Sequence, residues 1–198
     1  WPLERPVPPD VLWVNTVRQA RAMAIAGLTG ESFTEPGTRS WTEVSFGETQ
    51  PPEIANPDWP WDPTARVTIP GTNIAIRGKI DRLDLLANAV AVRVTDYQPD
   101  NAKSMVIAAG GELQRVLYGL ACRELLPATE KVITRLYYLK DSPKAYYLRD
   151  LPDAIAQTAA FADAASAALE RGNAAPGPAA NEQNYDLRLA LPASPSYF

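Results

Sequence analysis

Two short blocks carry residues able to do chemistry. One is Gly78-Lys79-Ile80-Asp81-Arg82-Leu83-Asp84, and the other is Thr95-Asp96-Tyr97-Gln98. Acids delivered to one point by two neighbouring strands are what a divalent cation for phosphodiester chemistry requires. Val90, Val92 and Val94 alternate with Ala91, Arg93 and Thr95, and Leu83 and Leu85 alternate with Arg82 and Asp84. This period of two predicts two strands, each with an apolar face. A two-residue turn at Asn88-Ala89 would set Leu85 against Val92, Leu83 against Val94 and Asp81 against Asp96. Asn tolerates the positive φ of such a turn, although Ala after it is a weak partner. Opposed residues have Cβ atoms roughly 4.5–5.5 Å apart, close enough for two carboxylates to share one ion.

Paired carboxylates repel, and one takes up a proton unless a cation lies between them. Mg²⁺ or Mn²⁺ suits the pair, because such hard ions are held by one or two carboxylates, waters and a substrate phosphate. The other reading is purely structural: Asp81 and Asp96 end their strands and pair with Arg82 or Arg77.

Three blocks occur in order: Gly78 to Asp84, then Asp96-Tyr97, then Glu112-Leu113-Gln114-Arg115-Val116-Leu117-Tyr118. Together they resemble the RecB/AddB-type nuclease domain of the PD-(D/E)xK superfamily, whose pattern is G-x-I-D-R-x-D, D-Y-K and Q-x-x-x-Y. The resemblance is closest over residues 74–138. It implies a restriction-endonuclease-like α/β fold with a central mixed sheet flanked by helices. It implies that Asp81 and Asp96 bind metal, that the Tyr97 carbonyl completes the shell, and that Gln114 and Tyr118 line a DNA path. It also implies metal-dependent DNA hydrolysis in recombination or repair, beside a helicase-like region of the same chain or of a partner subunit. The alternative is an inactive nuclease-fold module that binds DNA or scaffolds such an assembly.

The chain departs from the pattern in two places. Gln98 replaces the lysine that lies two residues after the acid, and the sequence contains no His, where many relatives carry a metal-binding one upstream. Losing one preorganised charged group typically costs on the order of 10²–10³-fold in rate. In the expected register Lys79 stands opposite Gln98 on the face of Asp81 and could supply the missing charge. Lys103, in the loop after Asn101, is the other candidate. Read without the family, Gln114 and Tyr118 are an i,i+4 pair beside the apolar face of Leu113, Val116, Leu117, Leu120 and Ala121. An ordinary amphipathic helix with a half-buried tyrosine explains them equally well.

The supporting elements follow. Residues 11–26 read as a helix ended by Gly27, and residues 40–47 as a strand with Trp41, Val44 and Phe46 apolar. Glu43 there is a further candidate ligand or a solvent-facing glutamate. Residues 50–63 hold five prolines around Trp59 and Trp61, which excludes helix or central strand. This loop either clamps substrate or is pinned to the body by its aromatics. Strands are expected at 67–69, 74–80, 132–139 and 145–148, the last two joined around Asp141-Ser142-Pro143. Ile74, Ile76 and Ile80 have the opposite parity from Leu83 and Leu85, so either both sheet faces are covered or a bulge lies near Gly78. An alanine-rich helix at 153–171 stops at Gly172, residues 173–184 read as a linker, and 185–191 as an edge strand.

A chain of 198 residues with 46% hydrophobic and 21% charged residues fits one domain, 1–198. A start without Met is expected of a piece cut from a longer protein. No stretch approaches a membrane span, and none resembles a signal peptide. The lone Cys122 reads as a core residue in a reducing compartment and excludes a four-cysteine iron–sulfur cluster, and the resemblance implies a cytoplasmic, bacterial nucleoid-associated role. A net charge of −4 means that any affinity for DNA must come from a local groove.

Overall fold

The computed structural model describes residues 9–29, 36–87, 90–99, 112–140 and 143–173. In chain order these form α1 (Asp10–Leu28), β1 (Arg39–Phe46), β2 (Val67–Thr68), β3 (Ala75–Ile76), β4 (Gly78–Leu85) and β5 (Ala91–Gln98). Then follow α2 (Gln114–Leu125), β6 (Lys131–Tyr138), β7 (Lys144–Tyr147) and α3 (Leu151–Glu170). Five strands make one sheet in the order β1-β4-β5-β6-β7, and β2 pairs with β3 apart from it. Only β5 and β6 run parallel, with α2 as their crossover. The outcome is the mixed sheet flanked by helices that the sequence implied.

The β4–β5 register is the expected one, with Leu83 on Val94 and Leu85 on Val92. The turn residues 88–89 lie outside the described residues, but Leu86 N–H donates to Ala91 O across the hairpin at 3.0 Å. The parity problem near Gly78 resolves in two steps. The stretch 74–80 is not one strand: Ala75–Ile76 pairs with β2, Arg77 interrupts, and the main strand starts at Gly78. Beyond that break Ile80 and Leu83, of opposite parity, are both fully buried and belong to one core cluster.

On one face α2 packs against β5 and β6, and α3 packs on α2. Val116, Leu120, Ala121 and Cys122 meet Leu83, Val92 and Val94 there, beside Leu151 and Ile155 of α3. Burial pushes the Cys122 thiol up, which suits a core residue. The Asp150 carboxylate caps α3 by accepting the N–H of Asp153 at 2.9 Å, so the helix starts two residues before the expected 153. Gly172, at φ 76, follows its end.

The opposite face is polar and is reached by the end of α1. That helix does not stop at Gly27: it continues to Leu28, and a Cβ added at Gly27 would lie 3.8 Å from the side chains of Tyr97 and Leu139. The hydroxyls of Tyr97 and Tyr137 donate to the Gly27 and Ala26 carbonyls. Residues 50–63 are irregular, and their indoles hold them to β1. Trp59 Nε1 donates to Thr42 O and Trp61 Nε1 to Ser45 O, at 3.3 and 2.8 Å. Among the described residues no helix is long and apolar enough to cross a membrane. Lys103, Asp141-Ser142, the tail after Asn173 and the expected strand at 185–191 lie outside the described residues.

Candidate functional site

The β4–β5 ladder ends at the rung Arg82–Thr95, and the next residue on each strand is an aspartate, Asp81 and Asp96. Leu83 and Val94 are buried on the same face, so this end of the hairpin sets carboxylates at the edge of an apolar core. Asp96 is buried and Asp81 half-buried. Asp81 Oδ2 accepts the Tyr97 N–H at 2.8 Å, which fixes its carboxylate across the strand end.

The electrostatics follow from this placement. Burial, then the charge of Asp81, pushes the Asp96 carboxyl up to about 6, with a smaller contribution from Glu112. The Gln98 side-chain amide donates to Asp96 Oδ2 and opposes that rise. Asp81 is also raised, first by burial and then by Glu43, while the Tyr97 N–H and Lys79 oppose the shift. Among the described residues no arginine pairs with either aspartate: Arg82 donates instead to Asp84 at 2.8 Å and to the Tyr97 hydroxyl at 3.3 Å. The structural reading in which Arg82 neutralises this strand end therefore fails, because alternation puts Arg82 on the other face.

Lys79 is engaged by the neighbouring strand. Its ammonium forms an ion pair with Glu43 of β1, which holds it above its ordinary value, with Asp81 adding to the effect. Glu43 falls between the rungs Thr42–Arg82 and Val44–Ile80, level with Asp81. It is the one non-glycine residue in left-handed backbone among the described residues, at φ 56. Such a conformation costs a glutamate on the order of 1 kcal/mol or more, and strain of this kind concentrates at functional sites.

On the helical side, Gln114 opens α2 and Tyr118 lies one turn later, half-buried. Burial, then the Asp96 charge, pushes the Tyr118 phenol up, while a hydrogen bond with Gln114 opposes this and Asp81 adds to it. Both aspartates therefore act on this ring. Its edge meets Phe46 at 6.2 Å between centroids, and both rings close over Gly78. A Cβ at Gly78 would lie 2.9 Å from Phe46 Cζ and 3.1 Å from Tyr118 Cε1, so glycine is required where the strand passes under them.

Sequence reasoning assigned no role to Glu112. It is buried, accepts the Arg115 N–H at 3.0 Å to cap α2, and pairs with Arg115 Nε at 2.7 Å. Its signal was present as an acid three residues before an arginine at a helix start, but not its proximity to Asp96. The Tyr97 carbonyl has its strand beside Tyr137 of β6.

The donor set suits a hard cation that keeps much of its water. The two carboxylates come from adjacent strands and neither forms an ion pair, and among the described residues no group of three or more Asp, Glu, His or Cys side chains is placed to hold a metal ion. The family model of the PD-(D/E)XK nuclease superfamily matches residues 2–186. No curated protein matches the chain significantly.

Proposed function

The chain belongs to the PD-(D/E)XK nuclease superfamily, and from that premise we propose that it is a RecB/AddB-type nuclease domain acting on DNA in recombination or repair, with hydrolysis slowed by Gln98. Nucleases of this superfamily generally use divalent metals. The observation that carries the reading is the Asp81–Asp96 pair, two carboxylates from adjacent strands that both have raised proton affinity, Asp96 in part through the charge of Asp81. In this reading they hold Mg²⁺ or Mn²⁺, with the Tyr97 carbonyl as a third oxygen. When bound, the ion supplies hydroxide near neutral pH and offsets charge at phosphorus.

The chain's own groups have the following parts. Gln98, already hydrogen-bonded to Asp96, orients the attacking water through its amide but adds no charge. Lys79 reaches the reacting phosphate only by leaving Glu43. Gln114 and Tyr118 present an amide and a phenol to the DNA backbone on the helical side. A helicase-like region, in the same chain or a partner subunit, would deliver the strand. The setting is cytoplasmic, at the nucleoid.

Calorimetric titration with Mn²⁺ tests the metal site. The wild-type chain is expected to bind with release of protons and Asp96→Asn not to bind; absence of binding by the wild type would end the reading. The engagement of Lys79 by Glu43 favours a second reading, an inert module that binds DNA without cutting it. Metal-dependent cleavage of labelled DNA by wild type, Lys79→Ala and Gln98→Lys separates the two. Cleavage by Gln98→Lys alone selects the inert module, and equal cleavage by wild type and Lys79→Ala removes Lys79 from the chemistry.

A further inference from the structure

At the end of the sheet away from the aspartates, a cavity of ≈ 1020 Å³ opens between the end of α2, the start of β6 and the β7–α3 junction. Three cations from three elements line it: Arg123 in the last turn of α2, Lys131 at the first position of β6, and Arg149 after β7. None of the three forms an ion pair among the described residues. Glu130 and Asp150 also line the cavity, but the Asp150 carboxylate is committed to the N–H of Asp153. Three cations without an ion pair thus share the lining with two carboxylates, a local excess of one positive charge in a chain whose net charge is −4.

Tyr147 completes the lining. Its hydroxyl accepts from Arg135 Nη1 at 3.3 Å, and the Arg135 guanidinium lies 5.9 Å from its ring centroid. The ring is braced from within the sheet, yet the residue is 48% exposed. Separate cations and an accessible aromatic ring lining one cavity suit a strand of nucleic acid better than a lone phosphate, which would need the cations at one point.

We infer that this cavity is a second nucleic-acid contact: Arg123, Lys131 and Arg149 take backbone phosphates, and Tyr147 stacks an unpaired base of single-stranded DNA. The inference rests on DNA as the partner and adds a location for it. The rungs Ala91–Lys131 and Asp96–Leu136 are five residues apart, so the anchor lies roughly 17 Å along the strands from the aspartates. A strand held there is tethered outside the reacting centre. Duplex DNA cannot use Tyr147 in this way, because its bases are already stacked.

Fluorescence anisotropy with a labelled oligothymidine in EDTA tests this without cleavage. The triple variant Arg123→Ala/Lys131→Ala/Arg149→Ala should weaken binding and flatten the slope of log affinity against log salt by about 2, at about 0.7 for each lost phosphate contact on a single strand. Tyr147→Ala should weaken it about 5- to 150-fold, while Tyr147→Phe, which keeps the ring, binds as wild type does. A control triple, Arg18→Ala/Arg21→Ala/Arg66→Ala, removes the same charge from exposed positions elsewhere, and thermal melts establish that each variant is folded. Equal losses in the two triples, duplex preferred over single strand, or no binding by wild type would each overturn the anchor. The Mn²⁺ titration contains no DNA, so it reports on the aspartate site whichever way this result falls.

Discussion

Asp81 and Asp84 lie three residues apart on β4 and meet opposite fates. Asp84 is fully buried and saturated: it accepts from Ser40 Oγ at 2.7 Å, Arg82 Nε at 2.8 Å and Arg93 Nη2 at 2.9 Å. Asp81, on the other face, accepts one backbone N–H and sits among the charges of Glu43, Lys79 and Asp96. An odd separation on a strand sends two identical side chains to opposite faces. One face closes the charge inside a network that holds β1, β4 and β5 together. The other leaves charge for something outside the chain to complete.

Breaking the closed side should produce the largest effect. Asp84→Ala leaves the Arg82 and Arg93 guanidiniums, each with 14% side-chain exposure, without their carboxylate. Uncompensated charges of this kind cost about 3–5 kcal/mol. Urea unfolding should show that loss, whereas Asp81→Asn should unfold within about 1 kcal/mol of wild type. Similar losses for both would erase the contrast. On the open side the order reverses: Asp81→Asn or Asp96→Asn should lower metal-dependent DNA cleavage at least on the order of 10²–10³-fold without a loss of stability.

Gln98→Lys sharpens the comparison by placing a cation on the open side. It should increase cleavage on the order of 10- to 10²-fold, part of what one such charge supplies. Because an ammonium next to Asp96 favours the carboxylate, it should also lower the pH at which Mn²⁺ binding is half lost. A cleavage rate unchanged in this variant would mean that the missing lysine is not what limits the chain.

The two sides were not equally legible in the sequence. The register of β4 on β5 was readable because Leu83, Leu85, Val92 and Val94 must share the core face, and a one-residue slip would expose them all. Asp81 and Asp96 followed from that register. The Asp84 network was not readable, because a strand's polar face normally meets solvent, and nothing local reveals that Arg82, Arg93 and Ser40 are enclosed there. The Lys79–Glu43 pair depends on how β1 lies against β4, a partnership between segments separated by the proline-rich loop. The break at Arg77 was legible only as a parity conflict between Ile76 or Ile80 and Leu83.

The smallest expected effect is a pH dependence confined to the open side. Asp96 has its folded value raised to about 6 from an ordinary 3.8, so between these limits the folded chain binds more protons than the unfolded one. Stability from this group therefore rises as pH falls through 6 and is complete below about 4, while above 6 the full penalty of the buried charge is present. The metal-free wild type should gain on the order of 1–2 kcal/mol between pH 7 and pH 4 from this group, and Asp96→Asn should lose that slope. Mn²⁺ reverses the sign, because the cation stabilises the ionised pair and a proton competes with it. Saturating Mn²⁺ should stabilise the chain at pH 7 and cease to do so below about pH 5. Thermal melts of both proteins across this range, with and without Mn²⁺, decide the matter. A pH slope in Asp96→Asn as steep as that of the wild type would place the titrating group elsewhere and undo the assignment of the open side.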